Sequence, residues 1–312
     1  MKTILKIYVT TFMFLSAQNS IISGFVSDSS SGEALIGANI FLQETGQGMA
    51  TDINGYYIIQ DIIPGNYTIM VSYVGFDMFK KKIAVMDEES MKLDISLVEQ
   101  VVELTEIEVT AEKLQRRNNI QPSKINLSPR MMKAAPALAE PDLFRTIQAL
   151  PGVLTTSEYS TGLVIRGGNT DQNLIMLDGI TVYNPSHLGG VFSNFIVDGV
   201  KEAELIKGAY NAEYGGRLSA VLNVISREGN KNEFKGKANL SLLSAQTTLE
   251  GPFYKGAWVL SGRRTYFDLV LPKVLPENIA SNIPPYYFYD IQSHVFSDIT
   301  SKDRVSVSYY SG

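Results

Sequence analysis

Residues 171–185 read DQNLIMLDGITVYNP. Asn173–Leu177 is an apolar run of strand length, and Ile180–Val182 is a second, shorter one. Between them stand Asp178 and Gly179, a pair that tolerates the positive φ angles of a two-residue hairpin turn. Outward from this hairpin the same texture continues. Leu163–Ile165 predicts a short strand, and Gly167-Gly168-Asn169 a turn. Upstream, DLFRTIQALPGV repeats Leu143, Ile147 and Leu150 at helical spacing. Pro141 sits at the helix start, Glu140 and Asp142 lie at the positive end of its dipole, and Pro151-Gly152 stops it. Downstream, KEAELIKG alternates, and YNAEYGGRLSAVLNVISREG joins a turn at Gly215-Gly216 to a strand over Ala220–Ile225. Helix and strands interleave in one α+β segment over 128–230.

The preceding texture is different. Residues 19–98 break into short runs, among them ISGFVSD, ANIFLQE, YYIIQDI and IPGNYTIMVSYVGF. Turn signals recur about every ten residues, which predicts an all-β sandwich. Asp52, Asn54 and Gly55 suit a tight turn, and Tyr67, Ile69, Val71 and Tyr73 share one face. Lys80-Lys81-Lys82 is read as a solvated strand end and turn. Residues 1–18 have a Lys2/Lys6 start, the apolar core IYVTTFMFL and the small residues Ser16-Ala17, the layout of a secretory signal peptide. The net charge is −5, so a nucleic-acid partner, which favours a basic surface, is not expected. Cysteine is absent, which removes disulfides, thiolate metal sites and a cysteine nucleophile.

Residues able to carry chemistry are sparse. The two histidines, His187 and His294, lie far apart with no zinc-ligand spacing. The glycines at 167–168 match no phosphate loop, and no serine elbow accompanies His187, which is read as a loop residue. Neither an enzyme nor a cofactor is expected.

Two resemblances organise these readings. GFVSDSSSGEALIGANI, TDINGYYI and PGNYTIMVSYVGF resemble the carboxypeptidase-regulatory-like domain, a transthyretin-like sandwich. LPGV, IRGG, DQNLIMLDGITVYNP and ELIKGAYNAEYGGRLSAVLNVISREG stand in the order seen in TonB-dependent outer-membrane receptors, where they form the plug that closes the barrel. The motif residues are Arg166, Gly167, Gly168, Asp178, Gly179, Tyr214, Gly215, Gly216 and Arg217. Arg166 and Arg217 are expected either to bridge plug and barrel wall through carboxylates or to stabilise turns at the surface.

Between sandwich and plug, in the linker 99–127, TEIEVTAEK alternates like a strand. Glu106, Ile107, Glu108, Val109, Thr110 and Ala111 resemble the TonB box in position and in the V-T-A ending. An extended strand with free backbone groups can add to a partner's sheet edge. The resemblance implies a TonB-type energy-transducing protein as periplasmic partner. The other reading is a last sandwich strand or plain linker.

Residues 231–312 again alternate, with Val305, Val307 and Tyr309 on one face and Ser306, Ser308 and Tyr310 on the other. About four segments of this kind fit here. Apolar-out, polar-in strands of roughly ten residues mark a transmembrane β-barrel. A plugged transporter has about 22 strands, so the chain is expected to be an N-terminal fragment. The fold expected is therefore a sandwich, an α+β plug and the start of an antiparallel transmembrane barrel. The function implied is active uptake of a scarce nutrient across the outer membrane, with the sandwich in the periplasm and outer-membrane lipid around the wall. Iron chelates, cobalamin, glycans and peptides all remain open as ligand. The alternative is a secreted or surface binding module without transport.

Overall fold

The computed structural model describes residues 20–87, 90–100, 124–135, 140–157, 160–188, 190–241, 243–274, 276, 286–300 and 303–312. The expected signal segment 1–18 and the box-like strand 106–111 lie outside them. The chain divides into two compact units. One holds residues up to Asp28 and Ala34–Glu106; the other holds Ser29–Glu33 and Ile107–Gly312.

The first unit is a sandwich of two four-stranded sheets. One sheet carries β1 (Ser20–Asp28), β4 (Tyr56–Ile62), β7 (Ser90–Lys92) and β8 (Ile95–Leu97). The other runs in the order β3 (Gly48–Ala50), β2 (Asn39–Leu42), β5 (Gly65–Ser72), β6 (Phe79–Val85). Period-two alternation builds the core: Ile22 and Val26 from one sheet face Ile40, Leu42, Ile69 and Val71 from the other, all essentially without solvent contact. The loop before β4 is an Asx turn. Asp52 Oδ1 accepts from the amides of Asn54 (2.8 Å) and Tyr56 (2.9 Å), and Gly55 sits at φ +75°. Lys80–Lys82 are solvated, but they lie within β6, not in a turn. β6 is an edge strand, where exposed lysines discourage pairing with foreign strands.

The second unit begins with β9 (Lys124–Leu127), α1 (Pro129–Ala134), α2 (Leu143–Gln148) and the ribbon β10 (Val153–Thr155)–β11 (Leu163–Ile165). It continues with β12 (Leu174–Leu177), β13 (Ile180–Thr181), β14 (Ser186–His187), β15 (Phe192–Ser193), β16 (Val200–Ile206) and β17 (Val221–Ser226). A mixed sheet runs β13-β12-β17-β16-β9, with only β12 and β17 parallel. The hairpin at 178–179 forms as its residues dictate: Leu177 pairs with Ile180, and Asp178 and Gly179 take φ of 49° and 81°. Met132, Leu143, Phe144 and Ile147 of the two helices pack with Leu205 and Val224 of the sheet in one buried cluster. α2 is only six residues long, capped by Asp142 Oδ1, which accepts from Phe144 N (2.8 Å) and Arg145 N (3.1 Å).

The last five strands form a meander: β18 (Lys235–Leu240), β19 (Ser244–Phe253), β20 (Gly256–Thr265), β21 (Tyr289–Asp298) and β22 (Arg304–Ser311). Each is antiparallel to the next. There is one more strand than the alternation suggested, because the chain reverses at Ser241, whose Oγ accepts from Leu243 N and Ser244 N. The β20–β21 connection contains α3 (Phe267–Val274). No helix among the described residues is long and apolar enough to cross a membrane, which says nothing of strands.

Replacing Ile40, 1% exposed at the sandwich centre, by Ala is expected to cost about 2–5 kcal/mol. Thermal unfolding followed on the sandwich would show it as a lowered midpoint.

Candidate functional site at the face of the meander

The meander wears its polarity inside out. Tyr289, Ile291, Leu260, Val305, Val307 and Tyr309 point to the outer face, each at least 39% exposed. The opposite face, turned to the mixed sheet, buries Ser261, Arg263, Thr265, Asp290 and Gln292. Of the charged residues in these strands, only Arg264 belongs to the outer face, next to the α3 end, where it pairs with Asp268 (2.8 Å) and lies over the Tyr287 ring. In water such a sheet would be reversed. Strands of ten residues with an apolar outer face match the length of a tilted membrane-crossing strand.

Arg263 is the centre of the buried polar face. Its side chain is 1% exposed, beside Asp290 at 0% and Glu140 at 5%. Its Nε and Nη2 donate to Asp290 Oδ2 (2.9 and 2.5 Å), Nη1 to Glu140 Oε1 (2.7 Å), and Nη2 also to the Ser193 carbonyl (2.5 Å). Asp290 Oδ1 is held by the Tyr310 hydroxyl (2.9 Å) and His187 Nε2 (2.7 Å). Glu140 Oε2 accepts from Gln246 Nε2 (2.6 Å) and from the Ser244 hydroxyl. Glu140 therefore serves the meander rather than the dipole of α2, as its position near the helix start had suggested. His187, read as a loop residue, forms β14, stacks on Phe288 (4.2 Å between centroids) and joins this network.

Three further clusters join the same two surfaces. Asp178 accepts from Ser226 N (2.7 Å) and the Ser308 hydroxyl (2.6 Å), with His294 Nδ1 at 3.7 Å. Asp198 meets Lys133 (2.5 Å), Lys237 (2.8 Å) and Asn239 (2.6 Å). Glu228 meets Arg304 (3.2 Å), and Arg227 meets Glu250 (2.7 Å). Burial pushes the Asp178 carboxyl up, but the nearby His294 and the hydrogen bonds from Ser226 and Ser308 outweigh it and hold Asp178 below its ordinary range. Glu202 goes the other way: burial raises it to about 7, against the pull of Lys124 and Lys201.

The motif residues separate in space. Asp178 and its hairpin face the meander. Arg166–Gly168 form a turn closed by Gly168 N to the Ile165 carbonyl (2.9 Å) and by the Ser219 hydroxyl to the same oxygen (2.9 Å). Tyr214–Arg217 is an irregular stretch that follows a turn closed by Tyr214 N to the Asn211 carbonyl (3.1 Å), and the next two residues, Leu218 and Ser219, donate their amides to the Gln172 carbonyl (3.1 and 3.0 Å). Arg166 is exposed at φ +50°, and Arg217 donates to the Gly216 carbonyl (3.1 Å). Neither reaches a meander carboxylate among the described ion pairs. They lie on the mixed sheet's side, while the arginines that do bridge are Arg263 and Arg304 of the meander and Arg227 just after β17. What could have pointed to Arg263 was its inward parity in an alternating strand.

A cavity of about 700 Å³ opens among the loops 156–163, 170–173 and 183–190, with Tyr286 on its rim. Thr161 and Asn173, 1% and 7% exposed, line it, and Thr161 Oγ1 and Asn173 Oδ1 have no hydrogen-bond partner.

The two units match known families. The CarboxypepD_reg-like domain model matches residues 22–109, and the TonB-dependent Receptor Plug Domain model matches 127–221. A TonB-dependent receptor of Formosa agariphila is 29% identical over 233 residues, covering 70% of this chain and 22% of the relative. The TonB-dependent transporter Oar of Myxococcus xanthus is 24% identical over 233 residues, covering 70% and 21%. A crystal structure of the ferric enterobactin receptor of Pseudomonas aeruginosa aligns with a TM-score of 0.43 at 20% identity, covering 61% of this chain and 32% of that one. The chain thus spans about a fifth of the length of these curated relatives. Over these segments the chain is similar to TonB-dependent receptors. In chain order a carboxypeptidase-regulatory-like sandwich precedes the plug match, and the meander follows as the first strands of a barrel.

Arg263→Met leaves Asp290 and Glu140 buried and unpaired, and is expected to cost about 3–5 kcal/mol. Limited proteolysis would show this as faster cleavage of the plug, partly reversed by adding Asp290→Asn and Glu140→Gln. The two shifted carboxylates predict a stability maximum in pH. Asp178, depressed in the folded state, contributes fully above its ordinary pKa of 3.8 and loses that contribution as pH falls below it. Glu202, raised from 4.5 to about 7, has no cost below 4.5 and destabilises increasingly as pH rises toward 7. Thermal midpoints against pH would read both slopes; Asp178→Asn should flatten the acid limb and Glu202→Gln the neutral one.

Proposed function

We propose that this protein is a TonB-dependent transporter that takes up a scarce nutrient across the outer membrane, the plug gating the barrel. The observation that carries the reading is the meander's reversed polarity, an apolar outer face and an inner face bonded through buried ions to the plug. The sandwich then lies in the periplasm. Glu106–Ala111 provides the strand that a TonB-type partner captures, since main-chain hydrogen bonds along an added strand transmit force while alternate side chains select the partner. The outer membrane has no ion gradient of its own, so work must arrive through such a contact. Ser219, whose hydroxyl bonds the Ile165 carbonyl, braces the Arg166–Gly168 turn on the plug, and Asp178 seats its hairpin on the wall.

The match to the sandwich family runs through Val109, so the same residues also suit a terminal sandwich strand. One variant separates the two. Val109→Pro removes a backbone donor. Loss of energised uptake with an unchanged sandwich midpoint supports the coupling strand. Unchanged uptake, or a lowered sandwich midpoint, counts against it.

A further inference from the structure

The one charge on the outer face of the meander stands beside a groove. Arg264, next to last in β20, keeps 43% of its side chain exposed. Its Nη2 donates to Asp268 Oδ2 (2.8 Å), its Nη1 to the Thr265 carbonyl (3.1 Å), and the guanidinium lies 4.7 Å from the Tyr287 ring centroid. Its remaining N–H groups meet no acceptor among the described residues. Two residues earlier on the same face, Gly262 opens the sheet: a Cβ there would meet nothing within 4 Å. Thr247 and Ile291, its partners on β19 and β21, line the resulting groove of about 390 Å³. Tyr289, opposite Arg264, lines the end where the guanidinium stands.

The place along the strand is that of a lipid headgroup. Trp258 lies six residues before Arg264 on the same face, about 20 Å away at the rise of a strand, and packs against Phe234 (6.1 Å between centroids). Tyr287 and Tyr289 stand at the Arg264 end. Rings at both edges of an apolar band match the girdles that bound the hydrocarbon around a barrel. At the Arg264 end, β20 and β21 are joined by the long connection 266–288, whereas β19 turns into β20 at residues 254–255. Long connections mark the outer rim of such a wall and short turns the periplasmic one.

We propose, resting on the transport reading above, that Arg264 and this groove hold a phosphate-bearing lipid of the outer leaflet. One acyl chain fills the gap over Gly262, and the phosphate takes the free N–H groups of Arg264. Bonds from arginine to phosphate are charge-assisted, and next to hydrocarbon those donors have little water to turn to. Asp268 offsets the guanidinium charge, and Lys273 of α3, also exposed, leaves the described rim net positive. A neutral headgroup would leave the donors unmatched, and a water-soluble anion would leave the groove unfilled.

The test uses the full-length receptor, purified in detergent and titrated with lipids by native mass spectrometry. Phosphatidylglycerol is compared with galactosyl diacylglycerol of the same acyl chains, and free glycerophosphate is added as a competitor. Phosphatidylglycerol is expected to be held about tenfold more tightly, near one hydrogen bond to a charged group, with no displacement by glycerophosphate. Arg264→Gln should bring the two lipids level, and Gly262→Leu, which fills the groove, should weaken both. Both positions face away from the plug, and heat-modifiable migration on gels reports that the variants stay folded. Equal retention of the two lipids, a phosphate preference that survives Arg264→Gln, undiminished binding in Gly262→Leu, or displacement by glycerophosphate overturns the proposal. Lipid retention needs no energy source, so the two readings fail separately. A receptor that holds the lipid without energised uptake removes the transport reading alone, and energised uptake without a phosphate preference removes this one alone.

Discussion

A guanidinium taken out of water has to be met on every side, and Arg263 sets that demand for the second unit. Two carboxylates and a carbonyl answer it, and they come from three separate places in the chain: Glu140 ahead of α2, Ser193 in β15 and Asp290 in β21. The arrangement extends further through Asp142. One of its oxygens caps α2, and the other accepts from Ser193 N (2.7 Å), on the residue whose carbonyl receives Arg263. Helix start, the β14–β15 pair and the meander are thus fixed by one chain of charge-assisted bonds. Buried ions add little net stability compared with apolar packing, but they penalise every misplaced register.

The same constraint explains why the plug-facing side of the wall can be so polar. In a soluble sandwich like the first unit, the inner faces carry Ile22, Ile40 and Ile69, and lysines stay outside. On the transport reading the meander's outer face meets hydrocarbon, so apolar residues gain nothing by turning inward. The interior is left to pair ions and amides with a second polar surface. Gly199 illustrates how closely the surfaces approach: a Cβ there would lie 2.8 Å from Ser261 Oγ.

How much of this was legible depended on sequence distance. The Asp178-Gly179 turn depends on two adjacent residues, and it formed where its chemistry placed it. The Val305/Val307/Tyr309 alternation needed only period two. The buried ion network could not be read the same way, because Glu140 and Arg263 stand 123 residues apart and nothing near Glu140 indicates its partner. Its local context, three residues before a helix, supported a plausible but different role. Arg166 and Arg217 stood out by lying in motifs, while Arg263 and Arg264 looked alike and differ completely in environment, since adjacent residues on a strand face opposite ways. The unpartnered oxygens of Thr161 and Asn173 had no sequence signature, because being unpartnered is a property of the surroundings.

β9 is bonded along one side only, to β16, through four residue pairs and the Lys124–Glu204 ion pair. It is also the first described element past residue 100, and it occupies the last four residues of the stretch 99–127 expected as linker. A load arriving through that linker would fall on this edge before it reaches Arg263, whose contacts lie in other elements. The plug then has a soft end and a hard end. A strand could peel away and re-seat repeatedly while the ionic cluster keeps the remainder anchored, so that opening would be partial and would reset without refolding the domain.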